Sequence, residues 1–319
     1  MHAPPSRGGL AAVVVALAVV VTGSGLVACG GGEATPDGAV GPDATPPDAA
    51  DPTVIETRTV AIGPITAAPG AEDTVCVVVD LGNDAPRMIR SIRTHLSSGT
   101  HHVIVTRVEG ALSPEPTSCG AFAGGGIGAD NDVLFIAEQS EAALAYPAGA
   151  GLPIGAHQPI HLEMHYINTQ PSTTQDIDAA VEIDLAADDG VSLRPVELLF
   201  TGDLSLFLPA GQQVTVTSTF ELPTGIDLFA TTAHTHQWGR HASVELLAGA
   251  DDPAPRLLHS SEDWAERPLS LFDPIHIEAG DLVRLTCAYD NQSGADVGFG
   301  LSANDEMCFL WAHYVAAAP

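Results

Sequence analysis

Thirteen histidines, four methionines and five cysteines are the residues of this 319-residue chain best suited to hold a metal or pass electrons. Three histidine patterns carry most of the interest. Ala233-His234-Thr235-His236 follows the apolar run Ile226 to Ala230, which places the pair on a strand or at its end. Residues i and i+2 of a strand share a face, so both imidazoles can reach one ion. His101-His102 is geometrically weaker, because neighbours on a regular strand face opposite ways. Both reach one ion only at a strand end or a bulge. In His161-Leu162-Glu163-Met164-His165-Tyr166 the two histidines share a face, and periodicity leaves open which is the ligand. Taken singly, each histidine also reads as an ordinary surface or core residue, so context must decide.

Composition removes other chemistries. The chain has 40 acids against 11 bases, a formal charge of −29, and every base is arginine. Without lysine there is no Schiff-base chemistry, no P-loop phosphate binding and no kinase-type catalysis. The charge also argues against a nucleic-acid partner, whose binding rests on neutralising phosphates. No G-x-S-x-G or H-E-x-x-H occurs, so serine-hydrolase and zincin chemistry lack support. Gly124-Gly125-Gly126-Ile127-Gly128 precedes no helical pattern and reads as a loop rather than a dinucleotide fingerprint.

Positioning such residues requires a folded scaffold, and not all of the chain supplies one. Arg7 followed by the apolar stretch Leu10 to Val21 reads as a targeting segment, too short for a comfortable membrane span. It ends in Leu26-Val27-Ala28-Cys29, which resembles the lipobox of bacterial lipoproteins. The resemblance implies a signal peptide over 1–28, lipidation of Cys29, and an exported protein held in the cell envelope by its lipid anchor alone. Residues 29–53, rich in Gly, Pro, Ala and Asp, cannot offset their ordering entropy and read as a tether.

From Val54 the chain reads as all-β. Short runs rich in Val, Ile, Leu and Thr recur between Gly, Pro, Asn and Asp: Thr74 to Leu81, His101 to Val108, Asp132 to Ala137, His161 to Asn168, Val181 to Leu185, Gln213 to Phe220 and Ser243 to Leu247. Val181-Glu182-Ile183-Asp184-Leu185 alternates strictly, as a half-buried strand should. No long apolar pattern has helical spacing, and dense turns between short strands argue for sandwiches or barrels. The polar stretch Ala186 to Pro195 divides this part into halves, 54–190 and 191–319. Cys76 and Cys119 fall in one, Cys287 and Cys308 in the other. Of the three possible pairings, this division favours one disulfide per half.

A further motif gives the histidines their company. Asn304-Asp305-Glu306-Met307-Cys308 stands near the C-terminus, after a segment ending Leu285-Thr286-Cys287-Ala288-Tyr289-Asp290-Asn291. Together with His-His, His-Tyr and His-Thr-His in this order, the chain resembles the copper type II, ascorbate-dependent monooxygenases over most of residues 70 to 315. Peptidylglycine α-hydroxylating monooxygenase and dopamine β-monooxygenase belong to that family. The resemblance implies two jelly-roll-like β-sandwich domains in tandem, each carrying one copper across a solvent-filled cleft. His101, His102 and His165 match the ligands of the first copper, which receives and relays electrons. His234, His236 and Met307 match the ligands of the second, where O2 is activated. The four cysteines match family cysteines with the pairing the halves favour. A soft thioether suits Cu(I), while imidazole serves both oxidation states.

The implied activity is hydroxylation of a C–H bond with O2 and a reductant such as ascorbate. The alternative is a non-catalytic copper-binding lipoprotein on the same scaffold, and a zinc hydrolase would have no use for Met307. Departures from the family bear on substrate. Thr232 stands where the peptide-amidating branch has an arginine for the peptide carboxylate, and Phe309 and Trp311 replace its asparagine and tyrosine. A small apolar or aromatic substrate is therefore expected instead of a peptide acid.

Overall fold

The computed structural model describes residues 53–121, 133–188, 193–222, 225–262, 264–265, 267–302 and 304–317. The signal segment, Cys29, most of the tether and the Gly124–Gly128 loop lie outside the described residues. Pro52–Pro319 forms one compact unit, and among its described residues there is no helix.

Strands follow in close succession. The first are Val54–Ala67 (β1), Glu72–Asp80 (β2), Arg87–Leu96 (β3), Thr100–Arg107 (β4) and Ser113–Ser118 (β5). Next come Val133–Ala137 (β6), Glu141–Ala145 (β7), Ala150–Ile154 (β8), Pro159–Ile167 (β9) and Gln175–Ala187 (β10). The second half begins with Arg194–Gly202 (β11), Phe207–Leu208 (β12), Gln213–Glu221 (β13), Ile226–His234 (β14) and Gly239–Leu247 (β15). Arg256–Ser261 (β16), Ser270–Ile277 (β17), Leu282–Asp290 (β18), Val297–Gly298 (β19) and Phe309–Ala316 (β20) complete it. Each of the seven runs read from sequence falls on one of these strands.

Two cores result from alternation on these strands. A five-stranded sheet, β5-β2-β9-β4-β6, faces the β1-β10-β3 part of a nine-stranded sheet. Between them lie Val77, Val105 and Leu162 from one side and Ile62, Ile92 and Ile183 from the other. In the second half a four-stranded sheet, β13-β18-β15-β16, covers the β20-β14-β17 end of the same long sheet. Val244, Leu285, Leu228, Ile277 and Leu310 fill that space. The long sheet is continuous through a short parallel pairing of β8 with β11, Ala150 beside Arg194. The other pairings between these strands are antiparallel, so hairpins and crossovers account for the connections.

The halves also meet directly. On β20, Leu310 and Ala312 point into the second core, while Trp311 packs on Ile104 of β4 and Ile136 of β6 from the first half. His313 on the same face lies buried between the rings of Phe135 and Phe229. Period-2 alternation on one strand thus serves a core on one side and the seam between halves on the other. Disulfides join Cys76 to Cys119 and Cys287 to Cys308, one in each half as expected.

Candidate metal centre

The first histidine set is built on neighbouring strands of the five-stranded sheet. His101 and His102 lie at the start of β4, and the β4–β9 register shifts between Thr100 and His102. That irregularity is the bulge that adjacent histidines need in order to face one ion, and their rings stand 5.3 Å apart. His165 sits opposite His102 across β4 and β9, with ring distances of 5.1 Å to His102 and 5.3 Å to His101. His161, the other candidate, lies further along β9 opposite Thr106. His165 is therefore the member that joins the set. Its Nε2–H donates to Glu72 at 3.0 Å, which directs Nδ1 towards its neighbours.

The second set lies at the end of β14. His234 is the last residue of the strand and His236 stands beyond it in the turn, yet their rings are 4.9 Å apart. The turn is tight. A Cβ on Gly239 would run into Thr235 and the His236 carbonyl, so glycine is required there.

Glu306 ties this turn to the methionine. Its buried carboxylate accepts backbone N–H groups from Trp238 at 2.7 Å, His236 at 2.9 Å and Met307 at 3.2 Å. The Nδ1–H of His236 donates to the Asp305 carbonyl at 3.1 Å, leaving Nε2 for a metal. The Tyr289 hydroxyl donates to the Met307 carbonyl at 2.6 Å, and Cys308 is bridged to Cys287 on β18. Met307, almost fully buried, is held from both sides.

The two sets are not separated. The His101 ring lies 6.0 Å from that of His234 and 6.1 Å from that of His236. One ligand nitrogen each from His101, His234 and His236 falls within 4.8 Å of the others. The family resemblance implied a cleft between two ligand sets, whereas here all five imidazoles form one cluster. The seam of Trp311, Ile104 and Ile136 accounts for it, because it closes the halves against each other beside the histidines.

A small pocket opens on this cluster. His102, His165, His234, His236 and Met307 line it, together with Ile104, Ile136, Phe200, Leu301 and Trp311. Thr232, buried, donates its hydroxyl to the Pro268 carbonyl at 3.1 Å instead. Phe309 is buried beside Phe200, with rings 5.2 Å apart.

Donor chemistry fits a soft-to-borderline metal. Burial lowers the His101 and His102 pKa values well below the ordinary range, and the neighbouring imidazoles add to the effect. Burial and His234 together push His236 down to about 3. Burial also lowers His165, with Glu72 pulling the other way. Neutral imidazole is the form that binds metal. Nε2 of His101 and Nδ1 of His102 are buried without a hydrogen-bond partner, a cost that a bound ion would remove.

Several participants escape sequence reasoning. Glu138, just after β6, hydrogen-bonds Nδ1 of His234 from 96 residues away, both side chains being nearly fully buried. Arg267, fully buried, donates to the Thr235 hydroxyl between the paired histidines. Trp264 stands 5.8 Å from the His101 ring. Nothing in spacing or composition marks any of the three. Other described histidines serve elsewhere: His95, His157, His241 and His276 pair with acids, and His259 is buried against Ser270.

The buried imidazoles make metal-free stability depend on pH. His236 and His313 each have a folded-state pKa of about 3 against 6.5 in the unfolded chain. The unfolded chain takes up protons first as pH falls through 6.5, so stability present above that value is lost towards pH 3. At pH 5 the loss is about 2 kcal/mol for each of the two. Thermal melts of the metal-free protein should show a midpoint falling steadily from pH 7 to pH 5. A flat profile would contradict their burial as neutral rings.

The β-sandwich scaffold thus gathers histidines and a methionine, a donor set that could hold a metal ion, beside one pocket. Comparison with known proteins agrees with the resemblance. Residues 212–319 match the model of the copper type II ascorbate-dependent monooxygenase C-terminal domain. The chain is also 26% identical over 201 residues to tyramine beta-hydroxylase of Caenorhabditis briggsae, a match covering 56% of this chain. It spans only 33% of the relative's length. Solved structures show slight likeness: the crystal structure of the STIV MCP gives a TM-score of 0.33 at 14% identity, covering 82% of this chain and 97% of that one. A structure of PNGF-II gives 0.32 at 10% identity, covering 82% and 65%. At such TM-scores the likeness bears on neither fold detail nor function.

Proposed function

We propose that the protein is a copper-dependent monooxygenase that hydroxylates a C–H bond of a small, largely apolar or aromatic substrate, using O2 and a reductant such as ascorbate. The observation that carries this reading is the convergence of five imidazoles and the Met307 thioether beside one pocket. His101, His102 and His165 would hold an electron-relaying copper, and His234, His236 and Met307 an O2-activating one. Copper bound there would supply electrons and the site at which dioxygen is activated.

The chain's own residues set the conditions. Glu72 and the Asp305 carbonyl fix which imidazole nitrogen is presented. Glu306, Tyr289 and the Cys287–Cys308 bridge fix the backbone of Met307. Phe200, Trp311, Ile104 and Leu301 offer an apolar wall that would seat an aromatic or aliphatic group and exclude water. We further propose that 54–190 and 191–319 act as two domains, that 1–28 is a signal peptide, and that Cys29 anchors the exported chain.

Copper-loaded protein should consume O2 with ascorbate and a small aromatic substrate, and Met307→Ile should reduce turnover at least tenfold while leaving the fold intact. The substitution removes the soft ligand but keeps most of the apolar volume. Undiminished turnover in Met307→Ile, or a preference for glycine-extended peptides, would overturn the proposal. One observation favours a second reading: the mixed grouping of His101, His234 and His236 suits a single ion held between the halves. That reading is a copper-binding protein without turnover, and it predicts one ion per chain with no reductant-dependent O2 uptake.

A further inference from the structure

Among the described residues, Glu138 is the one carboxylate hydrogen-bonded to a ring of the second ligand set. It follows β6 in the first half, while its partner His234 ends β14 in the second. Oε1 accepts from Nδ1–H of His234, and Oε2 is buried with no hydrogen-bond partner. An acid so placed is costly in a metal-free site, because a buried carboxylate needs compensating charge or several donors. A cation on the far side of the His234 ring would provide that compensation through the imidazole. Glu138 also lines the cavity beside His234 and Met307.

We propose that Glu138 is a positioning residue for the second ligand set, supplied in cis by the opposite half of the sequence. Its carboxylate keeps the proton of His234 on Nδ1 and leaves Nε2 as the ligand atom. The second set is therefore complete only while the halves are closed on each other. This rests on the copper reading above. Glu72 performs the corresponding task for His165 from within its own half, so the contact made by Glu138 is distinct in linking the halves.

The two roles a buried acid can have predict opposite results. A carboxylate that merely holds the structure together should, on replacement, lower the melting temperature of the metal-free protein. A carboxylate serving a metal should instead cost stability when no metal is present. Glu138→Gln keeps an acceptor for Nδ1–H but removes the charge, and Glu138→Ala removes both. We expect metal-free Glu138→Gln to melt at or above the wild-type temperature. Its Cu(I) affinity, measured by competition with a chromogenic chelator, should fall about 10- to 100-fold at one site only, as for other partners of metal-bound histidines. Glu138→Ala should lose at least as much, and the Cu(II) paramagnetic resonance signal of one ion should change in both.

Unchanged affinity in Glu138→Gln, or a loss spread over both sites, would overturn the inference. So would a fall in metal-free melting temperature. Should Glu138→Gln not fold at all, Glu138→Asp decides: a folded protein with Cu(I) affinity lowered at one site only supports the role, because the charge stays while its reach to His234 shortens, and wild-type affinity at both sites overturns it. Wild-type protein that binds no copper would remove the underlying functional reading, a result separable from all of these.

Discussion

His234→Ala with His236→Ala is expected to abolish reductant-dependent O2 uptake, by more than about 100-fold, since losing even the outer partners of metal ligands costs about 10- to 100-fold. Both imidazoles belong to the second set, and both present a nitrogen into the shared cluster. The substitution should leave His101, His102 and His165 in place, because these are fixed by β4, β9 and Glu72, independently of the β14 turn. One copper should therefore be lost and one retained. Metal analysis of the dialysed variant together with oxygen-electrode rates checks both halves of the expectation. Loss of both ions would show that the mixed grouping of His101 with His234 and His236 acts as one site. Retention of both would remove these histidines from the ligand set.

The second large effect is structural. Glu306→Ala should strip the acceptor from the backbone N–H groups of His236, Trp238 and Met307, all turned towards a residue with no exposure to solvent. Each buried donor left without a partner costs about 1–3 kcal/mol, so the sum is on the order of 5 kcal/mol. That is a large fraction of the roughly 5–15 kcal/mol that stabilises a domain. A midpoint lowered by on the order of 10 °C is the expected result for the metal-free protein. Circular dichroism melts give the measurement, and a midpoint within about 2 °C of wild type would contradict the clamp. Burial raises the Glu306 pKa while the three N–H groups lower it, the burial being the larger influence. Glu306→Gln should also be damaging, since its amide would set a donor against donors.

Much of the scaffold was legible because β-structure leaves its period in the sequence. The alternation of Val181 to Leu185 reappears as buried and half-buried residues in turn along β10. β1 was not read, although it runs from Val54 to Ala67. Gly63-Pro64 interrupts its pattern, and both residues count against a strand interior. The strand tolerates them because it is an edge, pairing with β10 alone, and its register shifts between Ile62 and Ile65. An isolated segment carries no sign of being an edge strand.

The candidate site divides in the same way. Local spacing marked His101, His102, His234 and His236, while the choice of His165 over His161 and the role of Met307 came from the family resemblance, and the structure brings all six together. The bulge beside His102 was the condition under which adjacent histidines could cooperate, and it is present. Glu138 and Arg267 gave no signal, because their roles depend on pairings 96 and 32 residues away that no local pattern encodes. Closure of the halves was missed for the same reason. It depends on Trp311, Ile104 and Ile136, each of which reads in sequence as an ordinary core residue.

Metal content bears most directly on the claim that these six residues form a copper centre. Protein loaded with copper, dialysed and analysed for metals should retain two copper ions per chain and no stoichiometric zinc. A chain that retains no copper, or that binds zinc in preference and keeps it when Met307 is replaced by Ile, would contradict the account.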